Sequence, residues 1–83
     1  EMLKDKIEFD AQVDLNQLLQ QVKASFPDCK TNEIDGLKLY FEDGWAHMRK
    51  SNTEPIVRIY IESTSLDRAK EINTKIRTIT KTN

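Results

Sequence analysis

Hydrophobic residues in the first third of the chain recur at helical spacing. The residues that share one face of this predicted helix are Leu15, Leu18, Leu19, Val22 and Phe26. Asp14 stands directly before them and Gln17 follows three residues later, which is the arrangement of a capping box. Pro27 cannot continue a helix because it lacks the backbone N–H. The pattern therefore predicts a helix that begins after Asp14 and ends before Pro27.

After Pro27, apolar and polar residues alternate, which is the period of a half-buried β-strand. Asp35-Gly36 and Glu42-Asp43-Gly44 are typical of tight turns between such strands. The alternation predicts four strands, at residues 30–34, 37–42, 45–49 and 56–62. Ser65 is a suitable cap for a closing helix. The apolar face of that helix would be formed by Leu66, Ala69, Ile72, Ile76 and Ile79.

The order helix, four strands, helix predicts an α+β fold. Because the turns are too short to hold crossovers, consecutive strands must be antiparallel. We expect a two-layer domain in which a four-stranded antiparallel sheet is covered on one face by two helices. Residues 13–83 would form this domain. Residues 1–12 are charged and alternate only briefly, and they are predicted to be a linker or an edge strand from a preceding domain.

Composition narrows the classes of function. A chain of 83 residues seldom holds both a deep catalytic pocket and its scaffold, which favours a binding module or part of a larger protein. The net charge of -1 gives no general reason to expect nucleic acid or an anionic membrane, although residues 46–83 carry eight basic and four acidic residues. No apolar run approaches the roughly 20 residues of a transmembrane helix. Cys29 is the single cysteine, so we expect a half-buried structural thiol in a cytoplasmic protein.

Residues 49–55 are the one segment that core packing does not explain. Arg49 offers a planar pair of donors for a phosphate or carboxylate, and Ser51 and Thr53 offer hydroxyls. Asn52 offers an amide and tolerates the left-handed backbone that turns successive N–H groups toward an anion. Pro55 restrains the exit of the loop. This composition suits a phosphate monoester, but it is equally typical of an ordinary hairpin loop.

The residues DGLKLYFEDGW at 35–45 and RKSNTEPIVRIY at 49–60 resemble the C-terminal domain of the phosphohexomutases. That family includes phosphoglucomutase, phosphomannomutase and phosphoglucosamine mutase, and the resemblance covers about residues 12–80. It implies a TBP-like α+β fold that closes over the active-site cleft as the fourth domain of a longer chain. It also implies that a loop of this domain holds the phosphate of a hexose phosphate. Carried over position by position, the phosphate contacts would be Arg49, Ser51, Asn52 and Thr53.

Three further residues are predicted to support this loop. Lys50 stands where many members of the family have proline, which adds charge but loosens the loop. Glu54 would orient an arginine or a loop amide. Arg58 would add charge to the site or stabilise the loop, although a cross-strand pair with an acid is an alternative. Asn52 occupies a position that is glycine in the glucosamine-type branch, which favours the phosphoglucomutase and phosphomannomutase type.

The resemblance also implies what this chain does not supply. The phosphorylated serine and the D-G-D-x-D-R metal loop of the family have no match here, so we assign no catalytic residue and no metal ligand. Mg²⁺ and a hexose bisphosphate activator are implied for the full-length enzyme, and this fragment alone is expected to be inactive. The expected partners are a hexose phosphate and the preceding domains of the same chain.

Two other classes of function remain open at this point. A free-standing module could bind nucleic acid or another anion through the 49–55 loop and the basic helix at 68–81. The acidic first half and the lack of an RNA-type signature argue against it, and we predict no nucleic-acid partner. A purely structural dimerisation domain is the other possibility.

Overall fold

Both predicted helices are present, with the predicted caps. In the computed structural model, which describes residues 1–81, helix α1 spans Leu15–Ala24 and helix α2 spans Leu66–Lys81. The Asp14 carboxylate accepts a hydrogen bond from the Gln17 N–H at 3.1 Å. Ser65 Oγ accepts one from the Arg68 N–H at 3.1 Å. These bonds satisfy N–H groups that have no partner within a first helical turn.

The sheet has five strands, so the predicted number of four was wrong. The strands are β1 (Met2–Glu8), β2 (Lys30–Asn32), β3 (Leu37–Phe41), β4 (Gly44–Lys50) and β5 (Ile56–Ser63), in the order β1-β5-β4-β3-β2. All neighbouring strands are antiparallel. The additional strand, β1, carries a weak hydrophobic signal because Asp5 lies between Leu3 and Ile7 on its inner side. The two-layer α+β fold is otherwise as predicted.

The two helices cover one face of the sheet and enclose the core there. Its buried side chains come from both helices, the three central strands and the segment after α1: Leu19, Val22, Phe26, Leu37, Leu39, Ala46, Met48, Val57, Ile59, Ile61, Ala69, Ile72 and Ile76. Two residues depart from the expected pattern. Leu66, in the first turn of α2, is 40% exposed, and Ile34, beyond the end of β2, is 92% exposed. Cys29 is half-buried as predicted, and burial raises the pKa of its thiol.

The other face of the sheet is not covered by any helix of residues 1–81, and we call it the open face. Cross-strand partners in an antiparallel sheet project to the same side. The pairing therefore places Arg49 of β4 and Arg58 of β5 together on the open face, with His47 and Tyr60 beside them. No helix in this part of the chain is both long and apolar enough to cross a membrane.

Gly36 packs the turn before β3 closely against β4. Its φ is +75°, which favours glycine, and an added Cβ would lie 2.2 Å from the Met48 carbonyl oxygen. Met48 is opposite Leu37 in the β3–β4 pairing, and Arg49 is the next residue along β4. The close approach therefore brings the backbone and side chain of Asp35 beside Arg49.

Asp5 fixes β1 to α2 from the covered face. Its Oδ2 accepts hydrogen bonds from Asn73 Nδ2 at 2.9 Å and Arg77 Nε at 2.7 Å. Arg77 Nη2 also donates to the Lys6 carbonyl oxygen at 3.2 Å. Burial raises the pKa of Asp5, but the hydrogen bonds from Asn73, Arg77 and the Lys6 N–H, with the Arg77 charge, hold it below its ordinary value.

Candidate anion-binding site

The loop between β4 and β5 is closed by its own backbone. Ser51 N–H donates to the Ile56 carbonyl oxygen at 2.9 Å, and Ile56 N–H donates to the Glu54 carbonyl oxygen at 2.8 Å. Residues 51–55 therefore form a short connection at one end of the two central strands. The strands are held by the core behind them, so the ends that carry Arg49 and Arg58 are well supported.

Ser51 organises the inside of this loop. Its Oγ accepts hydrogen bonds from the Thr53 N–H at 3.2 Å and the Glu54 N–H at 3.3 Å, and it lies 3.3 Å from Thr53 Oγ1. Asn52 does not adopt the expected left-handed backbone, because in residues 1–81 a positive φ occurs only at Gly36 and Gly44. The loop is thus an arrangement held by a serine hydroxyl, without the alternating backbone of an anion nest.

The structure brings five of the seven predicted residues into one depression. A surface depression of about 320 Å³ is lined by Arg49, Lys50, Ser51, Asn52, Arg58 and Tyr60. Thr53 and Glu54 do not line it. The Glu54 side chain makes no hydrogen bond or ion pair within residues 1–81, so its predicted partner is not seen there; its N–H donates to Ser51 Oγ.

Arg49 and Arg58 are direct cross-strand partners. Like charges opposite one another on neighbouring strands repel. Arg49 Nε lies 3.2 Å from Asp35 Oδ2, but the two side chains are 52% and 64% exposed, so this pair compensates little. Arg58 and Lys50 form no ion pair with any residue of 1–81. The depression therefore has an excess of positive charge, which suits an anionic ligand.

Asp35 lies between Arg49 and His47 and contacts both. Asp35 contacts Nε of the guanidinium, which leaves the two terminal nitrogens available to another acceptor. His47 lies 2.6 Å through Nε2 from the Asp35 carbonyl oxygen; because a carbonyl only accepts, Nε2 carries the proton. A solvent-facing or stacking His47 was predicted from the sequence, and this hydrogen bond was not.

Tyr60 also belongs to the site, although it was not predicted from the sequence as a site residue. It lies two residues after Arg58 on β5, and side chains two apart on a strand share a face. It forms part of the wall of the depression. The alternation along β5 shows from the sequence alone that Arg58 and Tyr60 share a face. It does not show that this face of the sheet carries the site.

A second and larger depression lies on the other side of the loop. It has a volume of about 630 Å³ and shares Arg49, Lys50 and Asn52 with the first. Its remaining wall comes from the start of α1 and the turn before β3, with amides and three carboxylates: Asp14, Asn16, Gln17, Leu19, Gln20, Glu33, Asp35 and Gly36. Because acids and bases are mixed here, this depression suits an anion less well than the first.

Metal ligands are not grouped in the part of the chain that the structure describes. No set of three or more His, Cys, Asp and Glu side chains in residues 1–81 is placed to hold a metal ion. The donors that Mg²⁺ prefers are several oxygen ligands at one point, and this arrangement does not supply them.

The fold and the site together define an α+β domain with a positively charged depression beside its β4–β5 hairpin loop. Residues 6–79 match the family described as phosphoglucomutase/phosphomannomutase, C-terminal domain. The chain belongs to this family of domains, as the resemblance in its sequence predicted.

Individual relatives agree with this assignment. The chain is similar to a phosphomannomutase from Methanocaldococcus jannaschii, 38% identical over 50 residues that make up 60% of this chain and 11% of the relative. It is similar to a phosphoglucomutase/phosphomannomutase from Thermococcus kodakarensis, 48% identical over 42 residues, 51% of this chain and 9% of the relative. A probable phosphoglucosamine mutase from Methanopyrus kandleri is 36% identical over 52 residues, 63% of this chain and 11% of the relative. The matched segments thus span only about a tenth of these mutases.

A solved structure shares the fold. The crystal structure of a phosphoglucomutase/phosphomannomutase family protein from Burkholderia thailandensis superposes with a TM-score of 0.67 at 24% identity. The match covers 99% of this chain and 18% of that one. In that protein, the fold shared with this chain is therefore one part of a longer polypeptide.

Proposed function

We propose that this chain is the substrate phosphate-binding domain of a phosphoglucomutase or phosphomannomutase, and that it closes over the active-site cleft. Such an enzyme is an intramolecular phosphotransferase that interconverts hexose 1- and 6-phosphates. The observation that carries the proposal is the depression in which Arg49 and Arg58 lie side by side with Lys50 and without adequate negative charge. Membership of the domain family supplies the kind of ligand.

Each loop residue has a defined part in this proposal. The terminal nitrogens of Arg49 bind two phosphate oxygens, and the Asn52 amide donates from the loop. Lys50, at the end of β4 and opposite Val57, adds positive charge at the rim of the depression. Arg58 adds positive charge below the phosphate. Ser51 keeps the loop in shape through its hydrogen bonds, and Thr53 contributes its hydroxyl when the loop closes on the ligand. The domain acts by positioning and electrostatics.

The chemical steps belong to other parts of the longer enzyme in this proposal. In this proposal the preceding domains carry the phosphoserine and bind Mg²⁺ and the hexose bisphosphate activator. The enzyme acts in the cytoplasm, and neither nucleic acid nor a membrane is a partner. The 83-residue chain is therefore expected to leave glucose 1-phosphate unchanged when Mg²⁺ and glucose 1,6-bisphosphate are added. Conversion to glucose 6-phosphate by the purified chain would contradict this division of labour.

The alternative of a free-standing nucleic-acid module is disfavoured by one contact. Lys38 Nζ lies 4.4 Å from the centroid of the Trp45 ring and 5.4 Å from that of Tyr40. The ammonium lies over one face of each ring, so a base would have to displace it before stacking there. We therefore favour a small phosphate ester as the ligand of the open face.

Nuclear magnetic resonance of the ¹⁵N-labelled chain tests the proposal. Glucose 6-phosphate should shift the amide resonances of residues 49–54 in a saturable manner, with a dissociation constant in the millimolar range. Glucose, and sodium chloride at the same ionic strength, should not shift them in this way. If the ester and the salt produce the same small changes, the domain does not bind phosphate and the proposal is wrong.

A further inference from the structure

The pair of arginines on the open face is extended by a third cation. Arg58 is the cross-strand partner of Arg49 in the β4–β5 pairing, and it is also the partner of Lys6 in the β1–β5 pairing. Lys6, Arg58 and Arg49 therefore form a cation row across three strands on one face. Neighbouring Cβ atoms in such a row are about 5 Å apart, so the long side chains can converge above Arg58.

Little negative charge faces this cation row. Asp5 is next to Lys6 in sequence, but it projects to the covered face, where Asn73 and Arg77 bind it. Glu8 shares the open face with Lys6 and lies two residues away, about 7 Å along the strand. Its partner on β5 is the apolar Ile56, and the Glu8 side chain forms no ion pair within residues 1–81.

The next row along the sheet adds no acid near these cations. It consists of Lys4, Tyr60, His47, Lys38 and Asn32. The one carboxylate in contact with the cation row is Asp35, at the Arg49 end. The Lys6 end therefore has no compensating contact among the described residues.

We infer that the phosphate site extends along the cation row onto β1, with Lys6 as its third cation, so that bound phosphate holds this edge strand against β5. The inference rests on the proposed phosphate-binding function and adds a binding residue to it. A phosphate dianion above Arg58 accepts hydrogen bonds from the Arg49 guanidinium on one side and from the Lys6 ammonium on the other. An ammonium is a compact point charge with freely rotating donors, so it suits the outer position.

Contacts on the covered face hold β1 in place at Lys6. Arg77 donates to the Lys6 carbonyl oxygen and binds Asp5, so the backbone of β1 is tied to α2 at this point. The ammonium therefore starts from a defined place on the edge of the sheet. Ligand binding then restrains β1 from both of its faces, whereas in the free domain only the covered face supplies side-chain contacts at Lys6.

Two matched variants test the contribution of Lys6 to phosphate binding. Lys6→Met should weaken the affinity for inorganic phosphate and for glucose 6-phosphate about threefold to fivefold. Lys4→Met removes the same charge from the same face of the same strand, but opposite Tyr60, and should change the affinity less than twofold. In the unsubstituted chain, phosphate should slow hydrogen exchange at the amides of β1, and this slowing should be lost in Lys6→Met. Equal affinities for the two variants, with Arg49→Ala still defective, would overturn the role of Lys6 while leaving the proposed function intact.

A second measurement does not depend on any ligand. A double-mutant cycle of Lys6→Met and Arg58→Met, followed by urea denaturation at low ionic strength, should reveal a repulsive coupling between the two side chains. The coupling should disappear at high salt. A coupling of zero at low salt would show that the two charges do not face one another and would overturn the inference. Failure of the unsubstituted chain to bind phosphate, with the coupling present, would overturn both proposals.

Discussion

Arg49 and Arg58 lie directly opposite each other on β4 and β5, and both project from the open face. Opposed like charges destabilise an antiparallel pair by a few tenths of a kcal/mol. The exposed Asp35 offsets this repulsion at Arg49 alone. The repulsion lowers the stability of the free domain. An anion bound between the two guanidinium groups would relieve it.

Replacing Arg58 with glutamine should therefore stabilise the free domain while weakening its ligand binding. We expect the free energy of unfolding of Arg58→Gln to rise by about 0.5 kcal/mol at low ionic strength. The gain should vanish near 0.5 M salt, because the charges are then screened within about 4 Å. Urea denaturation at the two salt concentrations measures this, with Lys70→Gln on the outer side of α2 as the control. A variant that is less stable than the parent at low salt would contradict the repulsion.

Removing the Ser51 hydroxyl should loosen the loop and leave the rest of the domain intact. In Ser51→Ala the N–H groups of Thr53 and Glu54 lose their acceptor, so their hydrogen exchange should become faster. We expect a loss of about 0.5–1.5 kcal/mol in stability and a weaker affinity for glucose 6-phosphate. Thr64→Ala, which removes an exposed hydroxyl away from the loop, is the control. Unchanged exchange rates at residues 53 and 54 would show that Ser51 does not organise the loop.

Gly36→Ala should be among the most damaging single-methyl changes in this domain. The backbone there has a φ of +75°, and the new Cβ would approach the Met48 carbonyl oxygen to 2.2 Å. We expect a loss of about 2 kcal/mol or more, together with displacement of Asp35 from Arg49. Thermal or urea denaturation measures the first effect. Ile34→Ala, two residues away and 92% exposed, should stay within about 0.5 kcal/mol of the parent; similar losses in both variants would refute the special role of Gly36.

Asp5 should make the stability of the domain depend on pH in the acidic range. Its pKa is lowered in the folded state, so its contribution is present above the ordinary carboxyl value of about 3.9 and is lost as the pH falls through the folded value. At neutral pH, Asp5→Asn should lose about 1 kcal/mol, because the charge-assisted bonds to Asn73 and Arg77 are weakened.

The difference in the free energy of unfolding between the parent and Asp5→Asn should shrink as the pH falls below about 4. Urea denaturation of both proteins between pH 7 and pH 2 follows this convergence, and Asp10→Asn, at an exposed aspartate outside the sheet, serves as the control. A difference that stays constant over the whole range would show that the Asp5 charge does not contribute.

The fold was largely predictable because hydrophobic period and capping agreed along most of the chain. Both caps, Asp14 and Ser65, are where the sequence placed them. The strand that was not counted, β1, has a charged residue in the middle of its inner side. Asp5 is stabilised there by Asn73 and Arg77, which lie 68 and 72 residues further along the chain. No local pattern can reveal a partner so distant in sequence.

The candidate site was predictable as a loop but not as a surface. The donors at Arg49, Ser51 and Asn52 were visible in the sequence, and the structure places all three around one depression. Arg58 lies beside Arg49 because of the β4–β5 register. Lys6 lies beside Arg58 because of the β1–β5 pairing, which was not predicted. The expected left-handed backbone at Asn52 was wrong, because the Ser51 hydroxyl closes the loop without such a conformation.

The affinity of Arg49→Ala for glucose 6-phosphate tests the central claim most directly. The account predicts that this variant keeps the folded spectrum of the parent and binds the ester at least tenfold more weakly, because it loses a bidentate charged contact. Lys70→Ala, which removes an exposed positive charge from the opposite layer, should bind within twofold of the parent. If Arg49→Ala binds glucose 6-phosphate as tightly as Lys70→Ala does, the β4–β5 loop is not the phosphate site.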